Sequence, residues 1–71
     1  MRTEIRTQIR NALAQLTPSH REILVLLFLE RLTITEAAVV LGVTPEAARS
    51  RRRRGLEQFS SLMRPLIRGY E

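Results

Sequence analysis

The chain has 71 residues, of which 44% are hydrophobic and 27% charged, and its twelve basic and seven acidic residues give a net charge of +5. This length limits it to one small domain, residues 1–71, and the composition is that of a folded protein. Cysteine and aspartate are absent and His20 is the only histidine, which excludes disulfides, thiolate metal sites and catalytic triads. We therefore expect no metal, no cofactor and no enzymatic activity.

The positive charge favours an anionic partner. Every basic residue is arginine. Arginine suits the bidentate recognition of phosphate and guanine, but an all-arginine set is equally typical of a GC-rich genome.

No segment predicts insertion into a membrane. The longest apolar run, Ile23 to Leu29, is far shorter than the roughly 20 residues that span a bilayer. Residues 1–10 lack the apolar segment of a signal peptide. We therefore expect a cytoplasmic protein without a membrane partner.

The first half of the chain predicts two helices. Apolar residues at three and four residue spacing predict a first amphipathic helix that ends before Thr17. Thr17 and Pro18 are typical of the cap and first position of a second helix, which is expected to run to about Glu30. Because Ile23 to Leu29 is apolar nearly all round, we expect this helix to be mostly buried. The inward residues of the first helix are Ile5, Ile9, Ala12, Leu13 and Leu16.

The second half predicts two helices joined by a tight turn. Thr33 or Thr35 is the predicted cap of a short third helix, which Gly42 ends. Thr44 and Pro45 repeat the cap-plus-proline signal only two residues later. This geometry predicts an all-α, small four-helix domain containing a helix-turn-helix. Its predicted core is Leu13, Leu16, Ile23, Leu24, Leu26, Phe28, Leu41, Leu56 and Phe59.

The fourth helix is expected to run to about Met63, with residues 64–71 as a frayed tail. On a helical wheel one stripe contains Ala48, Gly55, Leu56, Phe59 and Met63. The opposite face contains Glu46, Ser50, Arg53, Arg54 and Glu57. A helix that follows a tight turn and carries dense positive charge can enter the major groove of DNA. A solvated basic face, or a face that binds an acidic protein, is the alternative.

Residues Ala12 to Phe59 resemble region 4 of the sigma-70 family, especially its extracytoplasmic-function group. The resemblance is carried by residues 12–18 (ALAQLTP), 20–24 (HREIL), 29–30 (LE), Glu36, Ala38, 41–43 (LGV), 49–51 (RSR), Arg54 and 56–57 (LE). It covers about two thirds of the chain in one register without gaps.

The resemblance implies a function in transcription initiation. Region 4 of a sigma factor reads the minus-35 promoter element in double-stranded DNA and docks on the beta-subunit flap of RNA polymerase core. In that family the positions that match Arg49, Ser50, Arg53 and Arg54 contact DNA. The candidate DNA-binding residues are Thr44, Glu46, Ala47, Arg49, Ser50, Arg53 and Arg54, together with Arg21 on the second helix.

Several positions depart from the family pattern. Leu27 stands where an arginine that often touches DNA is common, so that contact is expected to be missing. Arg31 stands where a glycine usually ends the second helix, which predicts backbone strain there. Arg52 stands at an inward position that usually holds leucine, so its stem must reach over the core or its charge must pair with an acid. Small residues are expected to thin the packing beneath the fourth helix: Ala37, Ala47 and Ala48.

Other functions stay open at this point. A LuxR-type helix-turn-helix shares several of the same residues, but it usually carries histidine where Arg51 stands. An interaction module that binds an acidic regulator, such as an anti-sigma factor, would use the apolar second helix and the same arginine face. The amphipathic first helix could also lie on a membrane surface, although that use would not require the turn signals. An enzyme is the weakest hypothesis, because His20, Glu22 and Glu36 have simpler roles near helix starts.

Overall fold

The computed structural model describes residues 3–68, and the side chains of residues 3–64. Four helices follow one another along this part of the chain, and it contains no strand. The predicted all-α fold with a helix-turn-helix is confirmed. The helices are α1 (Thr3–Gln15), α2 (Pro18–Leu24, continued by a π-helical turn, Val25–Leu29), α3 (Ile34–Leu41) and α4 (Pro45–Arg68).

Helix α4 is the central element, since it packs against α1, α2 and α3. The packed centre combines large side chains of α2 with alanines of α3 and α4. Ala37 and Ala48 are fully buried, so the small residues expected to thin this region let the helices approach closely. The buried cluster is Leu16, Ile23, Leu24, Ala37, Ala38 and Ala48, and Leu13, Leu26, Leu27, Leu41 and Phe59 are among the half-buried residues packed against it.

Two residues predicted for the core are exposed. Phe28 is 58% exposed and Leu56 is 40% exposed, and the neighbouring Leu29 is 68% exposed. In the π-helical turn the N–H of Glu30 donates to the carbonyl of Val25 at 3.0 Å. This turn contains more residues than an α-helical turn, which rotates the side chains that follow. The prediction of a mostly buried second helix was therefore wrong for its last turn, because so small a domain covers only one side of it.

Two predicted helix ends also differ in detail. Thr17 precedes α2, but its hydroxyl makes no capping hydrogen bond. Its N–H donates instead to Oε1 of Gln58, 3.2 Å away. Helix α4 does not end near Met63 but continues through Pro65 to Arg68. Proline in a helix interior removes one helical hydrogen bond, but the backbone stays helical past Pro65. Helix α4 thus extends into the segment 64–71, whose fraying stays a prediction, and residues 69–71 lie outside the described part.

Candidate nucleic-acid interface

A reciprocal capping box fixes the start of α3. The N–H of Glu36 donates to Oγ1 of Thr33 at 3.1 Å, and the N–H of Thr33 donates to Oε1 of Glu36 at 2.9 Å. Thr33, and not Thr35, is therefore the cap. The hydrogen bonds from the Thr33 backbone and side chain lower the pKa of Glu36 from its ordinary value of 4.5.

A turn of three residues joins α3 to α4. Gly42 has φ 69° and ψ 34°, the left-handed conformation that suits glycine. The N–H of Val43 donates to the carbonyl of Ala38 at 3.0 Å, which closes the end of α3. Thr44 then caps α4, since its Oγ1 accepts from the N–H of Ala47 at 3.1 Å. These local bonds set the direction in which α4 leaves the turn.

The outward face of α4 carries the predicted arginines. Arg53 and Arg54 are exposed and make no hydrogen bond or ion pair within the described part of the chain. Arg49 is also exposed, with its side chain at 55%, and its Nη1 lies 4.0 Å from Oε1 of Glu46. An exposed pair at this distance contributes little to stability and leaves the guanidinium available. Ser50 is half-buried on the same helix.

The remaining candidates lie in different surroundings. Thr44 is exposed with its hydroxyl used as a cap, and Ala47 is half-buried. Arg21 is half-buried, and its Nη2 donates to the carbonyl of Leu16 at 3.3 Å. Its Nε is buried without a hydrogen-bond partner among the described residues. Arg21 thus holds the end of α1 to α2, and it is not grouped with the arginines of α4.

A close contact between α2 and α4 positions this face. A Cβ atom on Gly55 would lie 3.3 Å from the carbonyl oxygen of His20, so the two backbones approach too closely for a larger side chain. One turn further along α4, Oε1 of Gln58 lies 2.8 Å from Nδ1 of His20. Because this amide oxygen can only accept, we assign the proton to Nδ1. Sequence reasoning placed Gly55 on the inward stripe but gave no role to Gln58, since a surface glutamine carries no local signal.

An apolar groove lies between α1, the π-helical turn and α4. Its volume is about 310 Å³. The sequence analysis did not predict this groove. The available signal was the run from Ile23 to Leu29, which is apolar on nearly every side of the helix and so cannot be buried completely in a small domain. The groove is lined by Ile9, Leu13, Leu24, Val25, Phe28, Leu29, Leu56 and Phe59. The described residues contain no group of three or more His, Cys, Asp or Glu side chains that could hold a metal ion.

Comparison with known families decides between the helix-turn-helix alternatives. The family model for sigma-70, region 4 matches residues 6–59. The chain belongs to the sigma-70 region 4 family. It is thus a sigma-factor DNA-binding domain, and the resemblance seen at residues 12–59 is confirmed in preference to the LuxR type. The region 4 family is a DNA-binding family and not a catalytic one.

A named sigma factor is similar to most of this chain. The RNA polymerase sigma factor CarQ of Myxococcus xanthus is 39% identical over 59 residues, which are 83% of this chain and 34% of that protein. This region 4 chain therefore spans about a third of the length of the relative. No solved structure matches it. Within the described residues, no helix is both long and apolar enough to cross a membrane.

The structure shows how two residues that depart from the region 4 pattern, Leu27 and Arg31, are accommodated. Leu27 is half-buried and packs against the core, so it is an apolar contact where an arginine is common. Arg31 has φ 58°, the left-handed conformation that a glycine would adopt without strain. The backbone at this turn thus has a conformation that suits glycine, although an arginine stands there.

Proposed function

We propose that the chain recognises the minus-35 element of promoter DNA, as region 4 of an RNA polymerase sigma factor that initiates transcription. The observation that carries this proposal is the exposed arginine face of α4, which follows a three-residue turn. Arg53 and Arg54 are free of protein partners in the described part of the chain. Their guanidinium groups are therefore available to the base edges and phosphates of a major groove.

The contacts divide into two kinds. We expect the exposed arginines of α4 to read base edges: Arg49, Arg53 and Arg54. A bidentate arginine to guanine contact is worth about 1 to 3 kcal/mol of discrimination. Thr44, Glu46, Ala47 and Ser50 remain predicted contacts at the start of the same helix. Arg21, engaged with Leu16, remains only a predicted contact to the DNA backbone. This recognition of DNA requires neither a cofactor nor a catalytic group.

The test compares two DNA duplexes at one fixed salt concentration: a site selected from a random library by this chain, and a scrambled copy. Arg53→Ala and Arg54→Ala are expected to weaken binding to the selected site by about 1 to 3 kcal/mol and to the scrambled site much less. Arg6→Ala is the control, because Arg6 is exposed on α1 and its replacement removes the same charge away from α4. Equal losses on both duplexes would mean that α4 supplies charge and does not read sequence.

The apolar groove supports docking of the same domain on RNA polymerase, at the beta-subunit flap. Phe28 and Leu29 expose more than half of their surface at the edge of the groove. Grooves of this kind accept the apolar face of a helix. Phe28→Ser is expected to weaken binding to purified core enzyme and to leave DNA binding unchanged, since Phe28 is not on α4. Unchanged core binding would exclude this docking site.

An acidic regulator of the anti-sigma type is a second candidate partner. The same unpaired arginines would attract it, so the regulator would compete with DNA for the face of α4. Charge reversal at Arg54 would then weaken both interactions, whereas the groove variant Phe28→Ser would leave DNA binding unchanged.

A further inference from the structure

Arg52 lies on the inward side of α4 and yet makes no polar contact with the protein. It is one helical turn after Ala48, which is fully buried. The side chain of Arg52 is only half-buried, and no hydrogen bond or ion pair holds its guanidinium within the described residues. Of the two outcomes expected from the sequence, pairing with an acid is therefore not found among the described residues, and the side chain is half-buried without a polar partner.

The side chain of Arg52 lies at an open depression next to the DNA-reading face. The depression has a volume of about 460 Å³ and is lined by Glu46, Arg49, Ser50, Arg52 and Arg53. Three guanidinium groups at one depression repel each other, and the single carboxylate offsets only part of that charge through its 4.0 Å contact with Arg49. An anion placed there would relieve the repulsion and would satisfy the free N–H donors of Arg52.

The position of Arg52 on α4 indicates which anion this is. Outward residues of a recognition helix meet base edges, whereas residues at its flank lie towards the sugar-phosphate backbone that borders the groove. The Cα of Arg52 lies on the inward side of α4, so its side chain reaches the depression from the border of the DNA-reading face, where the flanking backbone is the nearer target. This rests on the DNA-binding function proposed above.

We propose that Arg52 binds a phosphate of the DNA backbone and so adds a sequence-independent contact. Leucine, which is usual at this position of region 4, cannot make such a contact. Arg52 therefore increases affinity for any duplex and leaves the choice of sequence to Arg49, Arg53 and Arg54. The half-buried stem restricts the guanidinium before DNA arrives, which reduces the entropy lost on binding.

The experiment measures binding of Arg52→Gln and wild type to the selected and scrambled duplexes over a range of salt concentrations. Glutamine keeps a polar, stem-like side chain and removes the charge. Arg6→Gln is the matched control, with the same change on exposed α1. We expect Arg52→Gln to weaken binding to both duplexes by the same factor. The slope of log K against log salt should also decrease in magnitude by about 1, so that the loss of affinity between 50 and 200 mM salt is about 4-fold smaller than for wild type.

The outcomes separate the possibilities. An unchanged slope for Arg52→Gln, or an equal decrease for Arg6→Gln, would overturn the phosphate contact while leaving DNA binding intact. A loss confined to the selected duplex would overturn it in favour of base recognition. Wild-type protein that binds neither duplex would contradict the proposed function itself. The melting temperature of Arg52→Gln should be no lower than that of wild type, because the guanidinium has no partner among the described residues and its removal relieves the repulsion at the depression.

Discussion

At the scale of single residues, two turn positions show how a backbone conformation and its residue can agree or conflict. Gly42 and Arg31 both have positive φ, 69° and 58°. Glycine adopts this region freely, whereas a residue with a Cβ loses roughly 1 to 2 kcal/mol there. The glycine signal at position 42 allowed the end of α3 to be predicted. At Arg31 only the family pattern gave a signal, since arginine itself does not indicate a left-handed turn.

Replacement of Arg31 by glycine is expected to stabilise the fold. The change removes the left-handed strain but makes the unfolded chain more flexible, so the net gain in the free energy of unfolding is about 1 kcal/mol. Chemical denaturation measures it. Glu30→Gly is the control, because Glu30 has a right-handed φ of −86° and glycine there should destabilise by about 0.5 to 1 kcal/mol. Equal effects of the two changes would show that Arg31 is not strained.

The capping carboxylate of Glu36 gives the stability of the fold a defined acid dependence. Its pKa is lower in the folded chain than its ordinary value of 4.5, so the ionised form favours folding. This contribution is complete above the ordinary pKa and is lost as the pH falls through the lowered one. Glu36→Gln should therefore be less stable than wild type at pH 7, and the difference should shrink near pH 3. Thermal unfolding at the two pH values measures this, and a difference that is the same at both would contradict it.

At the scale of elements, local signals predicted most of the chain. A cap, a proline and a glycine fix the starts of α3 and α4 and the end of α3 through bonds between near neighbours, such as that of Thr44 to Ala47. The arginine face of α4 could be predicted for the same reason. The last turn of the second helix could not, because the register of Phe28 depends on how α1 and α4 pack around it. The contact of Gln58 with His20 joins residues 38 positions apart, so no local pattern reveals it.

The close approach of α2 and α4 at Gly55 leads to a stability prediction. Because a single Cβ would already lie 3.3 Å from the carbonyl oxygen of His20, Gly55→Leu must push the helices apart. Overpacking of this kind costs about 1 to 3 kcal/mol. Glu57→Leu, on the exposed face of the same helix, should change stability by no more than about 0.5 kcal/mol. Urea denaturation followed by circular dichroism compares the two variants, and similar midpoints would show that the helices are not held at this point.

At the scale of the whole molecule, the domain presents two surfaces of opposite chemistry. The arginines of α4 project from one, and the other is the apolar groove between α1, the π-helical turn and α4. The net charge of +5 attracts an anionic partner to the arginine surface over a long range, and salt screens this attraction. The groove depends on burial of apolar surface, which salt does not screen. A single small fold can therefore hold DNA and a protein partner by forces that respond differently to the solvent.

The two proposed interactions should accordingly separate in a salt titration of one protein. Raising the salt from about 50 to 500 mM is expected to weaken DNA binding steeply, because each neutralised phosphate releases counterions. Binding to RNA polymerase core through the groove should change little over the same range, and sulfate should strengthen it, since excluded salts favour apolar burial. Phe28→Ser identifies the part of core binding that belongs to the groove. If the affinity that depends on Phe28 decreased with salt as steeply as DNA binding, charge and not apolar contact would hold the polymerase. The arginine face would then have to bind both partners.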